Sequence, residues 1–199
     1  MQAMDPFTDT AAWALELLRK RQQTSPKRLA PPGPSEAQVQ ALFEAAAQAP
    51  DHGLILPWRF VVVPDAARVH LGEAFAAALS ERDPAATPEQ LGDARDKASR
   101  APFLALAIAR LRDDGHPEIP PAERLVSLGC ALQNLLLMAH AQGFGAGLVS
   151  GQAMDSAALR ALFHVASNEA AVCFVVVGSV DRAKARRARP SVEDFVGIL

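Results

Sequence analysis

The chain has 199 residues, of which half are apolar and 21% are charged, a composition that is ordinary for one globular domain. The net charge of −2 gives no reason to expect a nucleic acid or an anionic membrane as partner, so both are excluded from the predicted partners. No basic segment followed by an apolar one opens the chain, so we expect no secretory signal and a cytoplasmic protein.

Hydrophobic periodicity predicts helices that alternate irregularly with strands. The first residues carry no periodic pattern, and we expect residues 1–10 to be a disordered lead or a remnant of cloning before a single domain at 11–199. The predicted helices are Ala11–Arg21, Glu36–Gln48, Arg68–Ser80, Pro88–Ser99, a long central helix that contains Leu125–Ala141, and Asp155–Phe163. The predicted strands are Trp58–Val63, Pro102–Arg110, Leu148–Val149 and Val172–Gly178. This order predicts a layered α+β domain with a mixed or antiparallel central sheet of four to five strands flanked by helices.

The central helix is the element around which the chain is organised. Leu125–Ala141 contains no charged residue, and a helix that is apolar on nearly all sides is buried in a large core or in a membrane. Its polar side chains are too frequent for a membrane span, so we expect a buried helix. One stripe carries Ser127, Cys130, Asn134, Met138 and Ala141 at spacings of three and four. Small residues on this stripe would allow close approach of a partner, for which one candidate is the same helix of a second subunit.

Gly143-Phe144-Gly145-Ala146-Gly147 is not a dinucleotide-binding fingerprint. That fingerprint needs a strand before it and a helix after it, and here the predicted order is the reverse. Gly143 suits the position just after a helix, and an extended segment follows it. Glycines at this density still indicate that another chain segment or a flat ligand comes close to the backbone.

The two cysteines, Cys130 and Cys173, lie in apolar runs and are predicted to be buried free thiols, and we expect no metal site.

Several motifs together resemble one family. These are Ala49-Pro50-Asp51-His52, Pro57–Val63, Lys97–Phe103, Leu128–Asn134 and Gln142–Gly145. In their order and spacing they resemble the nitroreductase-like flavoproteins, in particular the small, single-domain YdjA-like NAD(P)H nitroreductases, over most of the chain from Ala14 to Val196. The resemblance implies the nitroreductase-like fold and a homodimer, with the central helix at the interface and FMN bound in two clefts between the subunits. It also implies a ping-pong cycle, in which NAD(P)H reduces the flavin and a nitroaromatic or quinone-like small molecule reoxidises it.

The resemblance further implies the site residues. The family grips the FMN phosphate with Arg-Arg-Ser, and the matching residues here are Arg21, Gln22 and Gln23, with Thr24, Ser25 or Lys27 as substitutes. Other implied flavin contacts are Gln48, His52, Leu148, Val149, Ser150, Arg187 and Arg189. The implied contacts of the nicotinamide dinucleotide are Met138, Ala139, His140, Ala141, Gln142 and Gly143. No side chain is implied as catalytic, because the flavin N5 carries the chemistry.

Physical chemistry supports these roles but leaves alternatives open. A phosphate prefers arginine forks and hydroxyl donors, and a donor such as His52 near the flavin pyrimidine edge favours reduction. Arg21, however, also suits the end of a helix through the helix dipole, and the basic patch that begins the tail after Asp181 can be a solvated face. Because Gln22 and Gln23 replace the family's arginine and serine, two functions stay open. One is an FMN-dependent NAD(P)H oxidoreductase, and the other is a vestigial member that binds flavin or another anion without nicotinamide-dependent turnover.

Overall fold

The computed structural model describes residues 6–112, 115–182, 185 and 188–199. Its helices are α1 (Pro6–Lys20), α2 (Glu36–Ala46), α3 (Arg68–Arg82), α4 (Pro88–Asp96), α5 (Pro121–Ala141) and α6 (Ala157–Leu162). Its strands are β1 (Leu29–Ala30), β2 (Trp58–Val62), β3 (Phe103–Arg110), β4 (Gly145–Val149) and β5 (Glu169–Val180). None of the helices in the described ranges has the length and apolar character needed to cross a membrane.

The five strands form one sheet in which every pairing is antiparallel. The long strand β5 is central: β3 pairs with one of its edges, β4 pairs with the other, and β1 pairs with its last residues, Ser179 and Val180. Strand β2 pairs with the outer edge of β3. The predicted layered α+β domain is therefore confirmed. The two-residue strand β1 was not predicted, because it lies in a short, proline-flanked segment without an alternating pattern.

The two faces of the sheet carry different helices. Along β3 the small residues Ala105, Ala107 and Ala109 lie on the face that packs against α2 and α5. Leu104, Leu106 and Ile108 alternate with them and lie on the face that packs against α3 and α6. We call these the α5 face and the α3 face. In β5 a bulge omits Val172 from the register with β3, so Cys173 belongs to the α5 face and Ala171 to the α3 face.

Helix α5 is the predicted central helix, but it is not buried on every side within one chain. Leu128, Ala131 and Leu135 are buried against the sheet and α2, whereas Val126 is 66% exposed. The predicted small-residue stripe begins at a buried residue. Ser127 is only 5% exposed and its Oγ accepts a hydrogen bond of 3.1 Å from Trp58 Nε1, so it faces the interior of its own chain.

Several element ends differ from the predictions for local reasons. Helix α1 begins at Pro6, so residues 6–10, which we expected in a disordered lead, are helical; residues 1–5 lie outside the described part. Helix α4 ends at Asp96 and a 3-10 turn follows, and Ser156 rather than Asp155 caps α6.

Both cysteines are free, as predicted. Cys173 is buried, and burial raises the pKa of its thiol to about 11, whereas Cys130 is half-buried.

Candidate functional site

The segment after α1 lies along the edge of β4. The Gln23 side-chain amide donates to the Leu148 carbonyl oxygen at 2.7 Å and accepts from the Leu148 N–H at 3.2 Å. The Thr24 N–H donates to the Ala146 carbonyl oxygen at 2.9 Å. A Cβ at Gly147 would collide with the Thr24 carbonyl oxygen and come within 2.9 Å of the Gln23 amide nitrogen. The predicted close approach to the glycine-rich stretch is therefore confirmed, and the approaching group is another chain segment.

A cavity of about 160 Å³, here called the small cavity, lies between this segment and α5. Its lining residues are Lys20, Arg21, Gln22, Gln23, Thr24, Arg28, Leu136, His140, Phe144, Gly145, Ala146, Val180 and Arg182. None of these residues is acidic. The Arg21 Nε is buried, with no hydrogen-bond partner among the described residues. Burial of the guanidinium, and next the positive charge of Arg189, lower the pKa of Arg21. Two predicted phosphate contacts, Arg21 and Arg189, thus lie near each other, while Arg187 is outside the described residues.

A second cavity of about 560 Å³, the large cavity, lies on the α3 face. Its lining residues are Ser25, Pro26, Lys27, Arg68, Phe75, Leu79, Arg82, Ala94, Lys97, Arg100, Ala101, Leu104, Val149, Ser150, Gly151, Gln152, Ala153, Met154, Phe174 and Val176. The floor is apolar, because the sheet contributes Leu104, Phe174 and Val176 and α3 contributes Phe75. Phe75 and Phe174 meet edge to face with their ring centroids 5.8 Å apart. The predicted contacts Val149 and Ser150 lie here, where β4 ends.

The large cavity is a groove that follows one face of α3. Arg68, Phe75, Leu79 and Arg82 are spaced at seven, four and three residues, so they share that face. Arg68 and Arg82 lie in the first and last turns of α3, about 21 Å apart along a helix of this length.

The two ends of the groove both carry positive charge. At the first end, Arg68 is buried and donates to the Ala98 carbonyl oxygen at 2.8 Å, which fixes the 3-10 turn that carries Lys97 and leads to Arg100. At the other end lies Arg82. No described residue that lines the groove is acidic. An apolar floor between cationic ends suits a flat ligand that carries anionic groups.

The predicted flavin contacts Gln48 and His52 line neither cavity. His52 Nδ1 is 2.7 Å from Glu123 Oε2, in the first turn of α5. The loop that follows is strained, since Leu54 and Leu56 have φ of 53° and 46°. The Leu56 N–H donates to Asp51 Oδ2 at 2.7 Å, which helps to hold this conformation. Leu54 is 86% exposed.

The segment predicted to bind the nicotinamide dinucleotide is the end of α5. Gly143 has φ of 88° and follows the helix, as predicted, and the Phe144 N–H donates to the Ala139 carbonyl oxygen at 2.9 Å. Gln142 Nε2 donates to the Gln38 carbonyl oxygen at 3.2 Å, and Ala139 is buried. Of residues 138–143, only His140 lines either cavity.

The predicted residues therefore fall in three places instead of one. Arg21, Gln22, Gln23 and His140 line the small cavity, Val149 and Ser150 line the large cavity, and Gln48 and His52 lie in the loop beside α5. Sequence reasoning missed Lys97, Arg100 and Arg82. The first two lie in a motif that carried the family resemblance, and Arg82 shares a helical face with apolar residues. In the described part of the chain, no cluster of side chains could hold a metal ion.

Comparison with known proteins gives consistent matches. A model described as "Nitroreductase family" matches residues 20–179. A Haemophilus influenzae protein named "Putative NAD(P)H nitroreductase" is 34% identical over 187 residues, which is 94% of this chain and 99% of that protein. The Escherichia coli protein "Putative NAD(P)H nitroreductase YdjA" is 35% identical over 169 residues, 83% of this chain and 87% of that protein.

Solved structures match the fold. The nitroreductase-like family protein of Bacillus cereus has a TM-score of 0.79 at 16% identity and covers 100% of this chain and 98% of its own. The FMN-dependent nitroreductase NfnB of Mycobacterium smegmatis, solved in complex with NADPH, has a TM-score of 0.74 at 20% identity. The match covers 96% of this chain and 99% of NfnB.

Proposed function

Because the chain belongs to the nitroreductase family, we propose that it is an FMN-dependent oxidoreductase that takes electrons from NAD(P)H and reduces nitroaromatic or quinone-like acceptors. The observation that carries this proposal is the large cavity. It combines an apolar floor, positively charged side chains and the residues at the end of β4. The donor and the acceptor would use this cavity in turn, which is a ping-pong cycle.

The large cavity fits FMN and the small cavity does not. Pockets for molecules of this size measure roughly 300–1,000 Å³, a range that includes the 560 Å³ of the large cavity but not the 160 Å³ of the small one. Phe75, Val149 and Phe174 supply apolar contacts for a flat ring. When bound, FMN supplies the two-electron chemistry. Lys97 and Arg100 place positive charge in the cavity, which favours the negative charge that a flavin gains on reduction.

We propose that the phosphate of the cofactor is held from the small cavity by Arg21 and Arg189. The unpartnered Nε of Arg21, beside a second arginine, supports an anion at this position. Consecutive residues, Thr24 and Ser25, line the small and the large cavity, so this one segment contributes to both cavities. Gln23 is already bound to the Leu148 backbone and supports the segment instead of contacting the phosphate.

We also propose a homodimer whose second subunit completes each site. Gln48 and His52 do not reach either cavity of their own chain, so a role at the flavin requires the cavity of a partner. The exposed apolar side chains support such an interface. They include Trp13 and Leu18 on α1, Leu125 and Val126 on α5, Leu54 in the strained loop, and Phe195 and Ile198 near the end of the chain. Apolar surface on this scale is typical of a face that another chain covers.

The test is spectroscopic. The purified protein, mixed with FMN, should show the absorption of bound flavin, and NADH or NADPH should bleach it in the absence of oxygen. A nitroaromatic or quinone added afterwards should restore the absorption. Bound flavin that neither nicotinamide bleaches would instead support the vestigial alternative, which the glutamines at positions 22 and 23 favour. Failure to bind FMN at all would refute the oxidoreductase and a flavin-binding vestigial member, and would leave only the binding of another anion.

A further inference from the structure

The groove on the α3 face has more positive charge than FMN requires. Lys27, Arg82, Lys97 and Arg100 all line it. None of the four takes part in an ion pair within the described ranges of the chain. The phosphate is assigned to Arg21 and Arg189, and the negative charge of a reduced flavin ring at the first end can be neutralised by Lys97 and Arg100. Arg82 then remains at the far end of α3, about 21 Å from the first turn along the helix axis.

Arg82 is exposed and forms no ion pair with a described residue, although Glu81 and Asp83 flank it in sequence. The nearest acidic residue in the following loop, Asp83, uses its Oδ1 to accept a hydrogen bond of 3.1 Å from the Ala85 N–H, which closes a turn. Leu79 and Phe75 precede Arg82 on the same helical face and continue the apolar floor toward the middle of the groove. A ligand that lies on this floor would therefore bring its end group to the guanidinium.

We propose that the acceptor reduced in the large cavity carries an acidic group, a carboxylate, sulfonate or phosphate, and that Arg82 binds it. The inference rests on the proposed function and specifies the substrate class of that same site. An arginine fork matches the planar geometry of a carboxylate and binds it with two parallel hydrogen bonds. Neutral nitroaromatics lack that contact, so the acidic acceptor is selected by charge at one end and by apolar contact along the ring.

The reaction balances with NAD(P)H as the reductant. For a nitrobenzoate, Ar–NO₂ + NAD(P)H + H⁺ gives Ar–NO + NAD(P)⁺ + H₂O. One N–O bond of the nitro group breaks and its oxygen leaves as water. The two electrons come from the C4–H bond of the nicotinamide, whose hydrogen is transferred as hydride. The acidic group is unchanged, so Arg82 is a positioning residue and takes no part in the bond changes.

The experiment compares 4-nitrobenzoate with 4-nitrobenzamide, which have similar shapes and differ by one negative charge. With saturating NAD(P)H, the FMN-loaded protein and its Arg82→Gln variant are assayed for kcat/KM on both compounds. We expect Arg82→Gln to lower the ratio of benzoate to benzamide about tenfold, the loss of one charge-assisted contact that is partly screened by water. Arg112→Gln is the matched control, since it removes the same charge from an exposed arginine that lines neither cavity.

Calorimetric titration of the same proteins with both compounds gives a result that does not depend on turnover. The wild-type protein should bind 4-nitrobenzoate more tightly than 4-nitrobenzamide, and Arg82→Gln should remove the difference. Equal binding of the two compounds, or a ratio that Arg82→Gln leaves unchanged, overturns the proposal. A variant that changes only the kcat/KM for NADPH also overturns it, because Arg82 would then contact the donor. Selective binding without any turnover would support the acidic ligand and refute the redox function.

Discussion

The position of the cofactor phosphate can be decided by one substitution. Arg21→Gln is expected to weaken the binding of FMN and to leave the binding of riboflavin, which lacks the phosphate, unchanged. The Arg21 Nε is buried without a partner and lies near Arg189, so an anion there would gain a charge-assisted hydrogen bond. Such a bond contributes about 1.5–3 kcal/mol, and each 1.4 kcal/mol is about tenfold in Kd. We therefore expect the Kd for FMN to rise about ten- to a hundredfold.

The competing position is the large cavity, where Lys27 is the cation nearest in sequence. Lys27→Gln is therefore the matched control, and both variants are titrated with FMN and riboflavin by fluorescence quenching at fixed ionic strength, because salt screens the phosphate contribution. An FMN-specific loss in Lys27→Gln, with none in Arg21→Gln, would refute the assignment. The error would then lie in matching the family's phosphate motif to Arg21–Gln23 across the longer segment that precedes Arg28.

The structure also gives the two glutamines of that motif, Gln22 and Gln23, different roles. Gln22 lines the small cavity, and Gln22→Arg should tighten FMN by about tenfold if an arginine there adds one charged contact. Gln23→Ser should not help, although the family has serine there. It would remove both hydrogen bonds to the Leu148 backbone, at about 0.5–1.5 kcal/mol each in the free energy of unfolding. Urea denaturation of the two single variants distinguishes these effects.

Three further predictions follow from other parts of the molecule. The Arg59 side chain lowers the pKa of Glu169, whose carboxylate is 8% exposed and accepts two hydrogen bonds of 2.8 Å from it. Because the pKa of Glu169 is lowered in the folded protein, its pairing with Arg59 stabilises the fold above about pH 4.5, the ordinary pKa of a glutamate. This stabilisation is lost as the pH falls below that value. Glu169→Gln should thus cost about 2–3 kcal/mol at pH 7 and much less at pH 3, by urea denaturation. His52→Ala should slow flavin reduction in stopped-flow assays without changing the circular dichroism spectrum; an unchanged rate and affinity would exclude His52 from the site. Light scattering at micromolar concentration should give the mass of a dimer, and a monomer would refute the shared site.

The sequence predicted the elements whose patterns are long. Strands β3 and β5 are apolar runs bounded by turn residues, and α5 contains a long, mainly apolar run without charged residues, so all three were found. The pairing of the segment after α1 with β4 was not found. A glutamine side chain that occupies a strand edge has no signature in sequence, because the same residue type is common on any exposed surface. Only the glycine at position 147 pointed to the contact, without naming the partner.

The positive charge of the large cavity was not predicted from the sequence, for a different reason. Lys97 and Arg100 follow a polar helix and Arg82 ends another, where basic residues are favoured by the helix dipole whatever their function. Their common orientation depends on how α3 and α4 pack. Gly72 allows this packing, since a Cβ there would be 3.1 Å from the Arg95 carbonyl oxygen. Packing of this kind cannot be inferred from periodicity alone.

The division of the predicted site between two faces follows from the geometry of a strand. Successive side chains in a strand point to opposite faces, so Leu148 and Val149, which are consecutive in β4, lie on different faces of the sheet. Leu148 packs in the core of the α5 face and Val149 in the core of the α3 face. Of the motif Leu148-Val149-Ser150, only the last two residues line the large cavity, while Leu148 binds Gln23 through its backbone. A ligand on the α3 face would therefore tolerate a change at position 148 that preserves the core. It would respond directly to a change at position 149, where the side chain forms part of the cavity wall.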